Sequence, residues 1–215
     1  MEPHQIIILT SLIVFVVALI FFAIAYTRKS NKVVRNSQEI VSDKDLLIFM
    51  NSQPDKMVDY KLLMKEFGLS KFEANGRLRH FLYNGLLRIL RTKNGMKAYY
   101  TLANPIEHSY ELKLTDDPFM TIEDLMMIFK HYDYQVTLQQ FCLSTGLPVK
   151  VILEEMKYFE KEKVVKCLYT SNDGGFSHKR VYALCEPYRS NPDNYLNLRD
   201  ANFELKEIYQ KADNS

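Results

Sequence analysis

Residues Leu69 to Leu87 read as one helix with its start and stop written into the chain, and no other stretch narrows the fold so far. Ser70 is placed to cap the first turn, because its hydroxyl can accept an otherwise unpaired backbone N–H, and Glu73 three residues on completes a capping box. Phe72, Leu78, Phe81 and Leu82 recur at a helical period and are expected to bury one stripe. Lys71, Asn75, Arg77 and Arg79 are then left on a wet, basic side. Asn84-Gly85 ends the helix, since glycine tolerates the left-handed backbone at a C-terminus, and Leu86-Leu87 returns the chain to a core.

Upstream, Tyr60 to Phe67 reads as a short helix with Asp59 as its cap and Gly68 as its stop. Downstream, Arg88 to Leu102 reads as two short strands around Asn94-Gly95, the strongest short hairpin signal. The order helix, turn, helix, hairpin resembles a winged helix-turn-helix domain, with Leu69–Leu87 in the place of the second helix. That resemblance implies a small helical unit with a β-hairpin wing, of a kind used by DNA-binding modules and by protein-interaction modules alike.

The run Ile6 to Ala25 is twenty residues without charge, proline or glycine, and only Thr10 and Ser11 in it are polar. As a helix it would rise about 30 Å, the thickness of a bilayer core. Ala23-Ile-Ala25 also offers a signal-peptide cleavage site, but no Lys or Arg precedes the run and its length exceeds the usual h-region. A retained transmembrane anchor is therefore the expectation. Arg28, Lys29, Lys32 and Arg35 follow the run while Met1–Gln5 carries no Lys or Arg, so the N-terminus is expected outside and the rest in the cytoplasm of a single-pass cell-membrane protein. Cys142, Cys167 and Cys185 are odd in number and lack a C-x-x-C pair, and are read as free thiols.

The second half of the chain repeats the first. Thr121-Ile-Glu-Asp-Leu-Met-Met-Ile-Phe129 matches Ser42-Asp-Lys-Asp-Leu-Leu-Ile-Phe49 in cap and apolar character, and after a one-residue loop change the offset is 78 residues. At that offset Val58 falls on Val136, Leu78 on Met156, Phe81 on Phe159 and Leu86-Leu87 on Val164-Val165; the second wing is four residues longer, so Tyr100 falls on Tyr182. Repetition with indels confined to turns is the mark of a duplicated domain. The expected fold class is accordingly mainly α with small β-hairpins (α+β), one transmembrane helix followed by two winged-helix domains in tandem. Its parts are a membrane helix at 1–26, a basic tether at 27–40, domain 1 at 41–104, a linker at 105–118 with a strand near Tyr110–Leu114, domain 2 at 119–185, and a C-terminal loop and helix at 186–215.

No catalytic constellation stands out: the five histidines are scattered, and no P-loop, G-x-G-x-x-G, G-x-S-x-G or H-E-x-x-H occurs. An enzyme, a cofactor and a metal site are not expected. Charge separates the two units, since residues 41–104 hold eleven Lys or Arg against six acids while residues 119–185 hold eight of each. In domain 1 the candidate DNA-binding residues are Lys71, Asn75, Arg77 and Arg79 on the helix, with Arg88, Arg91, Lys93 and Lys97 on the wing. Two other readings stand beside duplex DNA: a protein-interaction scaffold without DNA binding, and a basic face for anionic lipid. In domain 2 the matching helix offers Leu153, Glu154 and Glu155, a poor match to phosphate and a candidate surface for a protein partner, a role the C-terminal helix could share.

Overall fold

The computed structural model describes residues 3–95, 97–106, 112–114, 120–170 and 179–191. Helix α1 spans Pro3–Ile40 and is followed by α2 (Asp43–Ser52), α3 (Tyr60–Phe67), α4 (Lys71–Tyr83) and a hairpin of β1 (Leu87–Arg91) and β2 (Ala98–Leu102). The second unit runs α5 (Ile122–His131), β3 (Gln135–Thr137), α6 (Leu138–Thr145), α7 (Val149–Lys161), β4 (Val165–Thr170) and β5 (Lys179–Leu184).

The caps lie where the residue types place them. Ser42, Asp59, Ser70, Thr121 and Thr137 each accept a backbone N–H of the first helical turn, and Ser70–Glu73 closes as a reciprocal capping box. α3 and α6 both stop at a left-handed glycine, Gly68 and Gly146.

The duplication extends to register. β1 pairs antiparallel with β2 so that Ile89 faces Tyr100, and β4 pairs with β5 so that Cys167 faces Tyr182, the partners that the offset predicts. Tyr100 is bridged on its other side by Val58, and Tyr182 by Val136, where the bridge has grown into β3 and a three-stranded sheet of order β3-β5-β4. Even the turn after the long helix repeats, with Gly85 at φ +74° and Lys163 at φ +58°. Lysine holds there a backbone that costs an L-residue with a Cβ about 1–2 kcal/mol. The core is continuous through both units: Leu46, Leu47, Leu63, Leu78 and Phe81 join Leu125, Phe129, Phe141, Met156 and Phe159 in one buried cluster.

Three expectations are corrected. The first is the membrane span: no helix among the described residues is long and apolar enough to cross a membrane. Ile6–Ala25 lies inside α1, which continues without a break into polar sequence to Ile40. The fold class is thus α+β with a long N-terminal helix, without the transmembrane element, and the single-pass placement with N-terminus outside and cytoplasmic domains falls with it. The described apolar side chains of that stretch are exposed.

The second correction concerns the tether. Residues 27–40 are helical, and Val34 and Ser37 are buried because this end of α1 packs along α4. No apolar period marks the segment in sequence, since one valine and one serine suffice to seat it. The third concerns the faces of α4: Phe72, assigned to the core, is 49% exposed, and Arg77, assigned to the wet side, is fully buried. Of the linker strand only Leu112–Leu114 is described, and it is not a strand. The C-terminal helix expected after residue 194 lies outside the described residues.

Candidate functional site

On α4, Ala74, Arg77, Leu78 and Phe81 form the buried i, i+3, i+4, i+7 stripe, so the arginine occupies a core position. On α2 the same spacing places Asp43 with Leu46, Leu47 and Met50. The two charged core positions meet: Arg77 Nη2 donates to Asp43 Oδ1 at 2.6 Å, with both side chains sealed from solvent. Arg77 Nη1 donates to the Val41 carbonyl at 3.0 Å and reaches Ser37 Oγ at 3.4 Å, and the guanidinium lies 5.7 Å from the Phe81 ring centre. Burial pulls the arginine below its ordinary pKa, opposed by the Asp43 carboxylate.

Asp43 ties together more than this pair. Its Oδ2 accepts from Gln38 Nε2 of α1 at 3.0 Å and from the backbone N–H of Val149 at 2.8 Å. Val149 is the first residue of α7, whose N-cap Pro148 supplies no side-chain bond. A carboxylate from α2 therefore caps a helix of the other unit, satisfying an orphan N–H and meeting the positive end of its dipole. One buried carboxylate thereby joins α1, α2, α4 and α7. Gln139 adds a second link by donating to the Asn104 carbonyl at 2.8 Å.

The candidate DNA-contacting residues are divided by this arrangement. Arg77 is withdrawn into the core and is removed from the set. Lys71, Asn75 and Arg79 share one i, i+4, i+8 row of α4, with Asn75 folded back to donate to the Lys71 carbonyl at 2.8 Å. Arg88, Arg91, Lys93 and Lys97 are exposed on the first hairpin and its turn. α1 lies directly against the row's flank: a methyl placed on Gly76 would meet Val34 Cγ2 at 3.8 Å and Val33 Cγ1 at 3.9 Å. A major groove about 12 Å wide admits one helix about 10–12 Å across, not a helix with a second one laid along it. The packing of α1 on this flank therefore stands against entry of α4 into a major groove.

Between α1 and α4 is an open groove of about 770 Å³, lined by Val33 and Val34 on one side and by Lys71, Phe72, Asn75, Gly76, Arg79, His80 and Tyr83 on the other, with Tyr60 of α3. Lys71 Nζ stands 5.7 Å from the Tyr60 ring centre. His80 Nε2 is buried without a hydrogen-bond partner, and burial lowers the imidazole's pKa, with Asp43 opposing. In the second unit Leu153 is half-buried, while Glu154 is exposed and lies 3.7 Å from Lys150. Asp43, Gln38 and the Val149 N–H are the site groups that sequence reasoning missed. The available signal was the coincidence of a charge with a core phase on both α2 and α4.

No protein-family model matches this chain, and no curated protein matches it in sequence. Nothing in these comparisons identifies it as a winged helix-turn-helix protein.

Proposed function

We propose that the protein is a non-enzymatic interaction scaffold, made of two duplicated helix-and-hairpin units held in fixed orientation to present surfaces to protein partners. The observation that carries this reading is the seating of α1 along α4, which flanks the Lys71–Asn75–Arg79 row and narrows the approach a DNA-reading helix would need. The Asp43 node supports it, because a scaffold requires a defined angle between its parts and a carboxylate shared by α1, α4 and α7 fixes one. The second unit's outward surface is α7, with Leu153, Glu154 and Glu155 as its candidate contacts.

The test combines two measurements on the full chain. A photoreactive residue at position 153 should give a discrete protein adduct in cells, lost on Glu154→Lys with Glu155→Lys while the melting temperature holds. Random duplex DNA should bind weakly at about 50 mM salt. Absence of any adduct, together with tight DNA binding whose log K falls steeply with log salt, would replace the scaffold with a phosphate-binding module working through Arg88, Arg91, Lys93 and Lys97.

A further inference from the structure

The groove between α1 and α4 has a composition that specifies its occupant. Among the described residues none of its lining is acidic, and two are permanently cationic, Lys71 and Arg79. Neither is paired with a carboxylate among the described residues. The nearest acid in sequence, Glu73, turns one carboxylate oxygen to the Ser70 backbone N–H at 2.8 Å and is not part of the described lining. His80 adds no charge at neutral pH, since its pKa is lowered by burial.

Apart from Asn75 and Gly76, the rest of the described lining is apolar and aromatic. Phe72 and Tyr83 are 49% and 80% exposed, which is unusual for side chains of their size, and they flank the groove opposite Val33 and Val34. Exposed aromatics beside unpaired cations are the composition of a protein-recognition surface. The groove is open along its length, with a volume of about 770 Å³.

Lys71 and Arg79 are eight residues apart on one helix, about 12 Å along its axis. An extended peptide places side chains four positions apart at about 13 Å, pointing to the same face. We propose that this groove binds an acidic peptide segment of a partner protein, with two carboxylates on Lys71 and Arg79 and an apolar side chain between them against Phe72 and the α1 valines. This deepens the scaffold reading and rests on it, giving the first unit a partner class as α7 gives the second unit a surface.

The test uses a fluorescein-labelled ten-residue peptide with two glutamates four positions apart and leucine and phenylalanine between them. Fluorescence anisotropy with the full chain should show micromolar binding that weakens as salt is raised. Replacing both glutamates by glutamine should weaken it at least tenfold. Lys71→Glu with Arg79→Glu should weaken it at least tenfold too, and the doubly reversed protein should then take the lysine version of the peptide. Both positions are solvent-facing, so an unchanged melting temperature is expected and verifies the fold. Equal binding by wild type and the reversed variant, or no binding at millimolar peptide, would overturn the proposal. So would retention of anionic vesicles or DNA by the same two cations while the peptide is ignored. Persistence of the α7 adduct in any of those cases would leave the scaffold standing and remove only this groove.

Discussion

The Arg77–Asp43 pair can be dissected with a replacement that the protein itself contains. At the matching place in the second unit the residue is Ile122, buried at the start of α5, so Asp43→Ile has a precedent in the same architecture. Asp43→Ile alone leaves a sealed guanidinium without its counter-charge, which costs about 3–5 kcal/mol. It also orphans the Val149 N–H and the Gln38 amide, about 1–3 kcal/mol for each donor that water cannot reach. Arg77→Met alone falls at the lower end of that ion-pair range, because Asp43 keeps two hydrogen-bond donors. The double variant replaces a buried ion pair by apolar side chains of similar bulk, for which the ion-pair cost is near zero or favourable. What remains is the loss of the α7 cap, about 1–2 kcal/mol.

The expected result is a coupling of about 3 kcal/mol or more between the two substitutions, measured by urea unfolding of the wild type, both single variants and the double. In a thermal melt each single variant should fall by at least roughly 6 °C, from about 3 kcal/mol at about 2 °C per kcal/mol for a chain of this size. A total stability of about 5–15 kcal/mol makes either single variant a serious loss. An Arg77→Met variant that loses less than about 1 kcal/mol and shows no coupling would mean that the arginine is solvated. The basic helix would then regain its third cation, and the case for a buried clamp would fail.

Gly76→Ala should stabilise the protein by about 0.5–1 kcal/mol in the same urea assay, since alanine is favoured in a helix and its methyl meets Val33 and Val34 at ordinary contact distance; a loss would show α1 pressed closer than this. Lys163→Gly should be neutral or stabilising by up to about 1 kcal/mol, and Gly85→Lys destabilising by a similar amount, because both positions need a left-handed backbone. His80 has its folded pKa below the unfolded value of about 6.5, so between the two the unfolded chain binds the extra proton and stability falls as pH drops through about 6.5. Unfolding measured from pH 7.5 to 5 should therefore be flatter for His80→Gln, and an identical slope would assign the acid sensitivity elsewhere. Cys142 is sealed in the core and burial, with Asp43 adding to it, pushes its thiol far above the usual range; mass spectrometry after iodoacetamide at pH 8 should find the half-buried Cys185 modified first and Cys142 only after unfolding.

Much of the local structure is legible in the chain because it is enforced locally. Ser70 with Glu73, Asp59, Ser42 and Thr121 each declare a helix start through a bond made within three residues. The pairing of Cys167 with Tyr182 followed from duplication alone. The faces of α4 were not legible in the same way. Phase places Arg77 between Ala74 and Phe81 as clearly as it places Leu78, but a charged residue in a core phase declares itself only when its partner is known, and Asp43 is 34 residues away. The seating of Val34 and Ser37 against α4 was likewise hidden. A helix seated by Val34 and Ser37 on one neighbour needs too few apolar positions to show a period.

A duplicated fold offers its own control for deciding what a feature is for. Both units bury the same apolar set and close the same hairpin register, yet only the first contains the ion pair; the residue aligned with Arg77 is Glu155, and that aligned with Asp43 is Ile122. A unit of this kind therefore folds without the pair. What the first unit has in addition is contact with things outside itself: Gln38 on α1 and the N-terminus of α7, both bonded to Asp43. The buried charge is thus better explained as a joint between units than as a support for one of them, since a directional carboxylate fixes the angle of approach of three elements where an apolar contact would let them slide. On that logic the Asp43→Ile, Arg77→Met double variant should retain all of its stability but the α7 cap term and lose rigidity between the units. Faster amide exchange at Val149 and in the first turn of α7, with the hairpins unchanged, would be its signature, and equal exchange in wild type and variant would show that the apolar core alone holds the two halves in place.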